Sequence, residues 1–442
     1  MDRRQFIKTA GLGAAAIGVA ACVPAGKQDK TEGQKGPEAM ATHLGTDISL
    51  LGYGCMRWQM KKDENGKDII DQDSVNELVD YAMAHGINYF DSAPVYLRGQ
   101  SEAATGKALS RYPRESYYVA TKLSNHRGTP TLEAGKEMYY KSFENFSTDY
   151  LDYYLLHCIV DIESFKKRFL DTGLLDFLVE ERKAGRIRNL GYSVHCDKET
   201  FDYLLSLHGT YHWDFVQIQM NYLDWTHADA SETNADYMYA ELDRLEIPVI
   251  IMEPLRGGGL ADIPAQLADK LKEREPEKSI ASWAFRFAGS FPRVLTVLSG
   301  MTYMEHLQDN LDTYLDFEPL DEEELTLLEV TAKMMTEYPL VKCTACEYCM
   351  PCPYGIDIPG LFRFYNRHIK EGTYVVSADQ EDYAKIRRRY LLEYDKTVPT
   401  VRQADHCIGC GKCKPRCPQH IDIPKELRKI DLYIESLKQE KI

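Results

Sequence analysis

Positive charge is in short supply in this chain: 53 lysines and arginines face 68 aspartates and glutamates, a formal net charge of −15 over 442 residues. Nucleic acid, whose phosphates demand a basic surface, is therefore excluded as a partner. The one basic run, "KIRRRY" from Lys385 to Tyr390, reads as a solvated helix face. A long apolar stretch is missing too, since "TAGLGAAAIGVAAC" near the start is too short and too glycine-rich to span a membrane. There is no flavin-binding signature. Nor does the chain carry cysteine pairs separated by a loop, the usual layout of a zinc site.

What remains is ordinary for a soluble chain of two domains, with 44% hydrophobic and 27% charged residues. The cysteines are not ordinary. Of 12, eight fall in two continuous runs, "CTACEYCMPC" and "CIGCGKCKPRC". Cys407, Cys410, Cys413 and Cys417 follow the C-x2-C-x2-C-x3-C-P spacing in which closely placed thiolates wrap three corners of a 4Fe-4S cluster. In that arrangement the fourth cysteine reaches the other cluster. Cys343, Cys346, Cys349 and Cys352 form a run one residue shorter.

An internal repeat links the two runs, because "CPYGIDIPGLFR" and "CPQHIDIPKELR" align without a gap. The repeat predicts two 4Fe-4S clusters, with Cys417 completing the first and Cys352 the second; zinc and disulfides are the other ways to use such thiols. Cys55, Cys158 and Cys196 are scattered among apolar residues and read as buried, inert thiols.

The first residues read as an address. Arg3 and Arg4, followed by Phe6, Ile7 and Lys8, resemble a twin-arginine export motif, with Asp2 where Ser or Thr is usual. "VAAC" resembles a lipobox, which implies a lipidated Cys22 on the periplasmic face of a bacterial membrane. Export in the folded state fits the cysteine runs, since clusters are then assembled in the reducing cytoplasm. Residues 1–22 are thus the expected signal, and the polar segment 23–43 a flexible tether.

From residue 44 to 325 the chain alternates short apolar runs with amphipathic segments. "LLGYGCM", "INYFD", "YYVATK", "DYYLLH", "IRNLGYS", "FVQIQMN", "PVIIMEPL" and "VLTVLSG" are strand candidates, which predicts an α/β fold, a closed (β/α)8 TIM barrel. "MATHLGTDISL" reads as a hairpin closing its base, and "DSVNELVDYAMAHG" as a helix capped by Asp73 or Ser74 and ended by Gly86. Residues 326–442 are expected to form a small, mainly helical, ferredoxin-like domain.

Asp91, Lys122 and His157 stand at the carboxyl ends of strands, where barrel enzymes gather their catalytic groups, and Tyr96 follows just after Asp91. Carbonyl reduction by hydride needs a proton donor at the oxygen, and Tyr96 is the natural one. A lysine ammonium ~4 Å away contributes about 4 kcal/mol at an effective dielectric of ~20, enough to lower a tyrosine by about three pKa units. Lys122 is placed to do this, Asp91 to hold Lys122, and His157 to orient the substrate oxygen.

"INYFDSAPVY", "VATKL" and "YYLLH" resemble the Asp, Tyr, Lys and His motifs of the aldo-keto reductases, and the cysteine runs resemble the ferredoxin-like extension of one subfamily. The resemblance implies NAD(P)(H) lying across the barrel mouth. It places Ser193 and Gln219 at the nicotinamide carboxamide, and Pro254, Leu255, Gly257 and Gly258 along the phosphates. Ser299, Gly300, Met301 and Asn310 fall at the adenosine end. Gly300 and His306 stand where NADP-using relatives carry Lys and Arg, so the choice between NAD and NADP stays open.

The implied activity is oxidoreduction of a small carbonyl or alcohol substrate. A one-electron redox protein is a further possible partner, although the clusters are not expected to take electrons directly from a two-electron hydride donor. A non-catalytic barrel serving as an electron-transfer or docking lipoprotein is the alternative.

Overall fold

The computed structural model describes residues 39–125, 129–229 and 232–442. The twin-arginine motif, Cys22 and most of the tether lie outside the described residues. Eight parallel strands close a barrel: β1 Leu51–Gly54, β2 Tyr89–Asp91, β3 Tyr118–Leu123, β4 Leu151–Ile159, β5 Ile187–Val194, β6 Phe215–Gln219, β7 Val249–Met252 and β8 Val294–Ser299. Each pairs with the next, and β1 pairs with both β2 and β8. Each of the eight falls on one of the expected apolar runs, with β3, β4 and β5 extending past theirs by one to three residues. Near its base Thr42 bridges Ser49 and the Leu50 amide donates to Ala41 O, so the expected hairpin forms there.

A strand presents alternate residues to one face. The inward residues Tyr89, Ala120, Leu155, Phe215 and Ile250 pack together as a filled layer inside the barrel. The next inward positions, two residues on, are Asp91, Lys122, His157 and Gln217. The alternation that fills the barrel therefore also sets its polar upper layer.

The helix Gln72–Ala84 is capped by Asp71, whose side chain accepts from the Asp73 amide, and not by Asp73 or Ser74. The cap falls earlier because the strand ending at Ile70 leaves Asp71 in extended backbone, as a helix cap requires. Gly86 does end the helix, at φ +88°.

The boundary placed at residue 325 falls inside the helix Glu322–Met335, and its buried Leu328, Ala332 and Met335 belong to the barrel core. The cysteine-rich module begins after it, with a separate core that includes Phe364, Tyr365, Tyr390, Tyr433 and Ile434. The repeated "IDIP" has a local meaning. Asp357 and Asp422 each cap a helix, Ile358–Lys370 and Ile423–Lys438, with proline in its first turn where the missing N–H costs nothing. Within the "KIRRRY" segment, Lys385, Arg388 and Arg389 are exposed, while Arg387 donates to Leu437 O and ties two helices of the module together.

Candidate active site

Asp91, Lys122 and His157 meet at the carboxyl end of the barrel, all buried. Lys122 Nζ donates to Asp91 Oδ1 and, at 2.8 Å, to Ser92 O. Burial pushes the Asp91 carboxyl up and the Lys122 ammonium down, and their contact works against both shifts. His157 is fixed at Nδ1 by Ser124 Oγ, 2.6 Å away. Its ring stands edge-on to Tyr96, with centroids 5.9 Å apart.

His157 reaches this position through an irregularity in β4. The register against β5 shifts between Leu156 and Ile159, and Cys158 adopts φ +56°, rare for a side chain other than glycine. Arg168 holds the kink, donating to His157 O, to Cys158 O at 2.9 Å and to Asn125 Oδ1 at 3.1 Å. Burial lowers the Arg168 guanidinium to about 10. Cys158 is accordingly half-buried and lines the site, contrary to its reading as an inert core thiol, whereas Cys55 and Cys196 are buried.

The expected lowering of the Tyr96 pKa is also corrected. Lys122 Nζ lies against the face of the Tyr96 ring, 5.1 Å from its centroid. Burial dominates, with Tyr348, Asp91, Cys158 and Glu253 adding to it, and the hydroxyl is held well above its ordinary value. Tyr96 thus keeps its proton firmly. Transfer has to wait until negative charge develops on an acceptor oxygen, because an alkoxide is a far stronger base than a phenolate.

These groups open onto a cavity of about 600 Å³. Ser193, Pro254, Leu255, Gly257, Gly258, Ser299, Gly300 and Asn310 line it as expected. Gln219 does not: it donates to Asp224 Oδ2 and pairs with Gln419 of the cysteine-rich module. Gln217, one inward layer lower, lines the cavity in its place, and its buried Oε1 has no hydrogen-bond partner among the described residues. The two glutamines share a face, so period-two alternation alone could not separate them.

Met301 is likewise turned into the core, where its carbonyl accepts from Tyr53, and Thr302 and His306 line the cavity beside it. Arg57, just after β1, adds a cation. An unsatisfied amide oxygen, a glycine loop and a cation lining one cavity fit a nicotinamide nucleotide.

The cysteine-rich module lies over the barrel mouth. Arg57 donates to Thr344 O at 2.8 Å, Gln419 to Gln219 Oε1 at 2.8 Å, and His420 Nε2 meets His195 O at 3.0 Å. Tyr348, from the middle of the first cysteine run, lines the cavity with its hydroxyl 3.4 Å from His157 Nε2. Gly257, at φ +66°, leaves no room for a side chain, since a Cβ there would come within 2.2 Å of Thr344 O. Gly257→Ala should destabilise the protein by about 1–3 kcal/mol through backbone strain alone, and by more through this clash. Gly258→Ala carries strain without a clash, with nothing within 4 Å of its Cβ. Thermal unfolding should therefore start earlier for Gly257→Ala than for Gly258→Ala; equal midpoints would remove the contact with Thr344 from the account.

The thiols group across the two runs. Cys343, Cys346, Cys349 and Cys417 line one small cavity. Burial, Cys343, Cys417 and Cys413 push the Cys349 thiol up to about 12. Cys413 is raised by burial and by Cys407, Cys410 and Cys352, which marks the second set of four. Among the described residues no three ligating side chains converge tightly enough for a single metal ion. A cavity walled by four thiols suits a cluster with several separated irons better than one zinc ion ~2.3 Å from each sulfur.

Comparison with known proteins agrees with this architecture. The aldo/keto reductase family profile matches residues 50–332, and a 4Fe-4S dicluster domain profile matches residues 342–421. A probable aldo-keto reductase 1 of Glycine max is 32% identical over 173 residues, 37% of this chain and 46% of that protein. The uncharacterized oxidoreductase YqkF of Bacillus subtilis is 24% identical over 322 residues, 66% of this chain and 95% of its own length. An aldo-keto reductase from Klebsiella pneumoniae, solved in complex with NADPH, shares the fold with a TM-score of 0.51 and 21% identity, over 67% of this chain and 95% of that one. With the family profile spanning the barrel and a tyrosine, lysine, aspartate and histidine gathered at its mouth, the chain belongs to the aldo/keto reductase family and carries a C-terminal 4Fe-4S domain.

Proposed function

We propose that this protein is an NAD(P)-linked reductase of a small carbonyl substrate, or oxidant of the matching alcohol, exported and held at the membrane by a lipid on Cys22. The observation that carries the reading is the convergence of Tyr96, His157 and the Asp91–Lys122 pair on one nucleotide-sized cavity. A bound nicotinamide nucleotide supplies or accepts the hydride. Tyr96 gives its proton to the carbonyl oxygen, and His157 Nε2 hydrogen-bonds the same oxygen and fixes its direction. Lys122, kept charged by Asp91, stabilises the negative charge left on the Tyr96 oxygen. Gln217 and Ser193 hold the carboxamide, and the module excludes water from above.

Two 4Fe-4S clusters, one on each set of four thiols, are proposed to fix the module on the mouth. The test of the catalytic reading is aldehyde-dependent oxidation of NADPH or NADH by anaerobically purified protein, lost when Tyr96 is replaced. Nucleotide binding without turnover across a panel of aldehydes would favour a non-catalytic barrel.

Export is tested separately. Changing Arg3 and Arg4 to lysine should strand the precursor in the cytoplasm, whereas Cys22→Ala should allow export and abolish lipid attachment. Fractionation with labelled palmitate reads both outcomes, and unchanged export of the double-lysine variant would remove the twin-arginine assignment. The acidic chain and a site closed by its own module leave a small molecule as the substrate class; a one-electron redox protein at the exposed Cys410 edge is a compatible second partner.

A further inference from the structure

The two cysteine runs share one spacing through their third cysteine, so the residues between Cys343 and Cys349 correspond one to one with those between Cys407 and Cys413. In the first run they are committed to the barrel: Thr344 O accepts from Arg57, and Tyr348 lines the cavity. Their counterparts, Ile408 and Lys412, face solvent, with Ile408 64% exposed. One copy of the repeat is therefore docked on a protein surface, and the other is bare. Cys410, between Ile408 and Lys412, is exposed as well. Val401, 70% exposed, lies against Gly355, whose amide donates to Cys352 O, and so adds an apolar side chain beside the same set of thiols. The charge of this face runs against that of the chain. From Pro399 to His420 four exposed cations, Arg402, Lys412, Lys414 and Arg416, meet one acid, Asp405, although the whole protein carries a net charge of −15. Lys414 pairs with Asp422 at 2.9 Å, whereas Arg402, Lys412 and Arg416 have no ion-pair partner among the described residues.

Resting on the reading that Cys352, Cys407, Cys410 and Cys413 hold a 4Fe-4S cluster, we propose that this face docks a small acidic one-electron carrier protein, which passes single electrons to that cluster. Opposite charge brings such a partner in and orients it, and the apolar side chains of Val401 and Ile408 let the two surfaces close over the cluster edge. The repeat supports the geometry, because the positions that touch the barrel in the first run are the ones left bare in the second. The step is a plain electron transfer. The carrier loses one electron, the cluster takes it, and no bond or proton moves. An anionic membrane would meet the three unpaired cations equally well, but it would leave the exposed cluster edge without a use.

The test uses full-length, cluster-loaded protein, with flavodoxin hydroquinone, an acidic one-electron carrier, as the probe. Stopped-flow bleaching gives the second-order rate of cluster reduction. In wild type that rate should fall about tenfold or more between about 20 mM and about 500 mM salt, because opposite charges steer encounter only while unscreened. At low salt, Lys412→Glu combined with Arg416→Glu should slow it about tenfold or more, with aldehyde reduction and the cluster EPR spectrum unchanged. Arg402→Glu, outside the cysteine run, should act in the same direction; together with the salt dependence of wild type it decides the matter where the double substitution disturbs the cluster. Ferric cytochrome c, a basic carrier that takes electrons from the reduced cluster, should show no such fall with salt. A flavodoxin rate indifferent to salt and to these charges, or one that rises with salt, would overturn the proposal. So would binding to phosphatidylglycerol vesicles that is lost in the variants while the flavodoxin rate is kept, a result that would assign the face to the membrane. The cluster reading fails in a different way. Iron content of about four, unaltered by Cys407→Ala, together with salt-dependent flavodoxin binding by calorimetry, would defeat the second cluster and leave the docking face standing, whereas about eight iron with salt-indifferent reduction would do the reverse.

Discussion

Replacing Tyr96 with phenylalanine should lower kcat for carbonyl reduction by about 10²–10⁴-fold, the usual worth of a positioned proton donor. Nucleotide affinity should change little, because only one hydroxyl is lost. Steady-state kinetics and nucleotide titration on the same preparation check both halves. This substitution is cleaner than one at Lys122. Removing that ammonium would leave the Asp91 carboxylate buried without its cation, an arrangement that costs about 3–5 kcal/mol and mixes loss of fold with loss of chemistry. Retention of most of the kcat in Tyr96→Phe would move the acid elsewhere, and Tyr348 carries a second hydroxyl that lines the cavity, on the Nε2 side of His157.

The second large effect concerns metal content. Wild-type protein prepared anaerobically should hold about eight iron and eight sulfide, and Cys417→Ala about four of each. The lost cluster should be the one seated on Cys343, Cys346 and Cys349, although Cys417 lies far from them in sequence, because all four thiols line the same cavity. The EPR spectrum of reduced Cys417→Ala should therefore match that of Cys343→Ala and differ from that of Cys407→Ala. A match to Cys407→Ala instead would mean that each cysteine run holds its own cluster.

The barrel was legible in the sequence because its signal is local. Short β-rich runs spaced by amphipathic segments are set by residues a few positions apart, and catalytic groups at strand ends follow from the same pattern. What the sequence hid depends on depth and on contacts across domains. Gln217 and Gln219 point inward alike, and only the height of the docked Gln419 shows which one the module takes. Arg168 sits in a helical stretch without a motif, and only the kink at Cys158 explains its burial. The pKa of Tyr96 depends on how much water its surroundings exclude, which no spacing encodes. Tyr348 was concealed by the pattern around it, since a residue inside a cysteine run reads as a spacer.

The helix Glu322–Met335 has a consequence for timing. It contributes Leu328, Ala332 and Met335 to the barrel core and precedes every cysteine of the two runs. A chain emerging from the ribosome from its N-terminus therefore presents all eight strands and their last packing partner before the first cluster ligand appears, and domains tend to fold as units in that order. The barrel can serve as a template, with the mouth waiting for the segment that will roof it. Cluster insertion then becomes the closing event of maturation, the step that sets a roof over an open vessel.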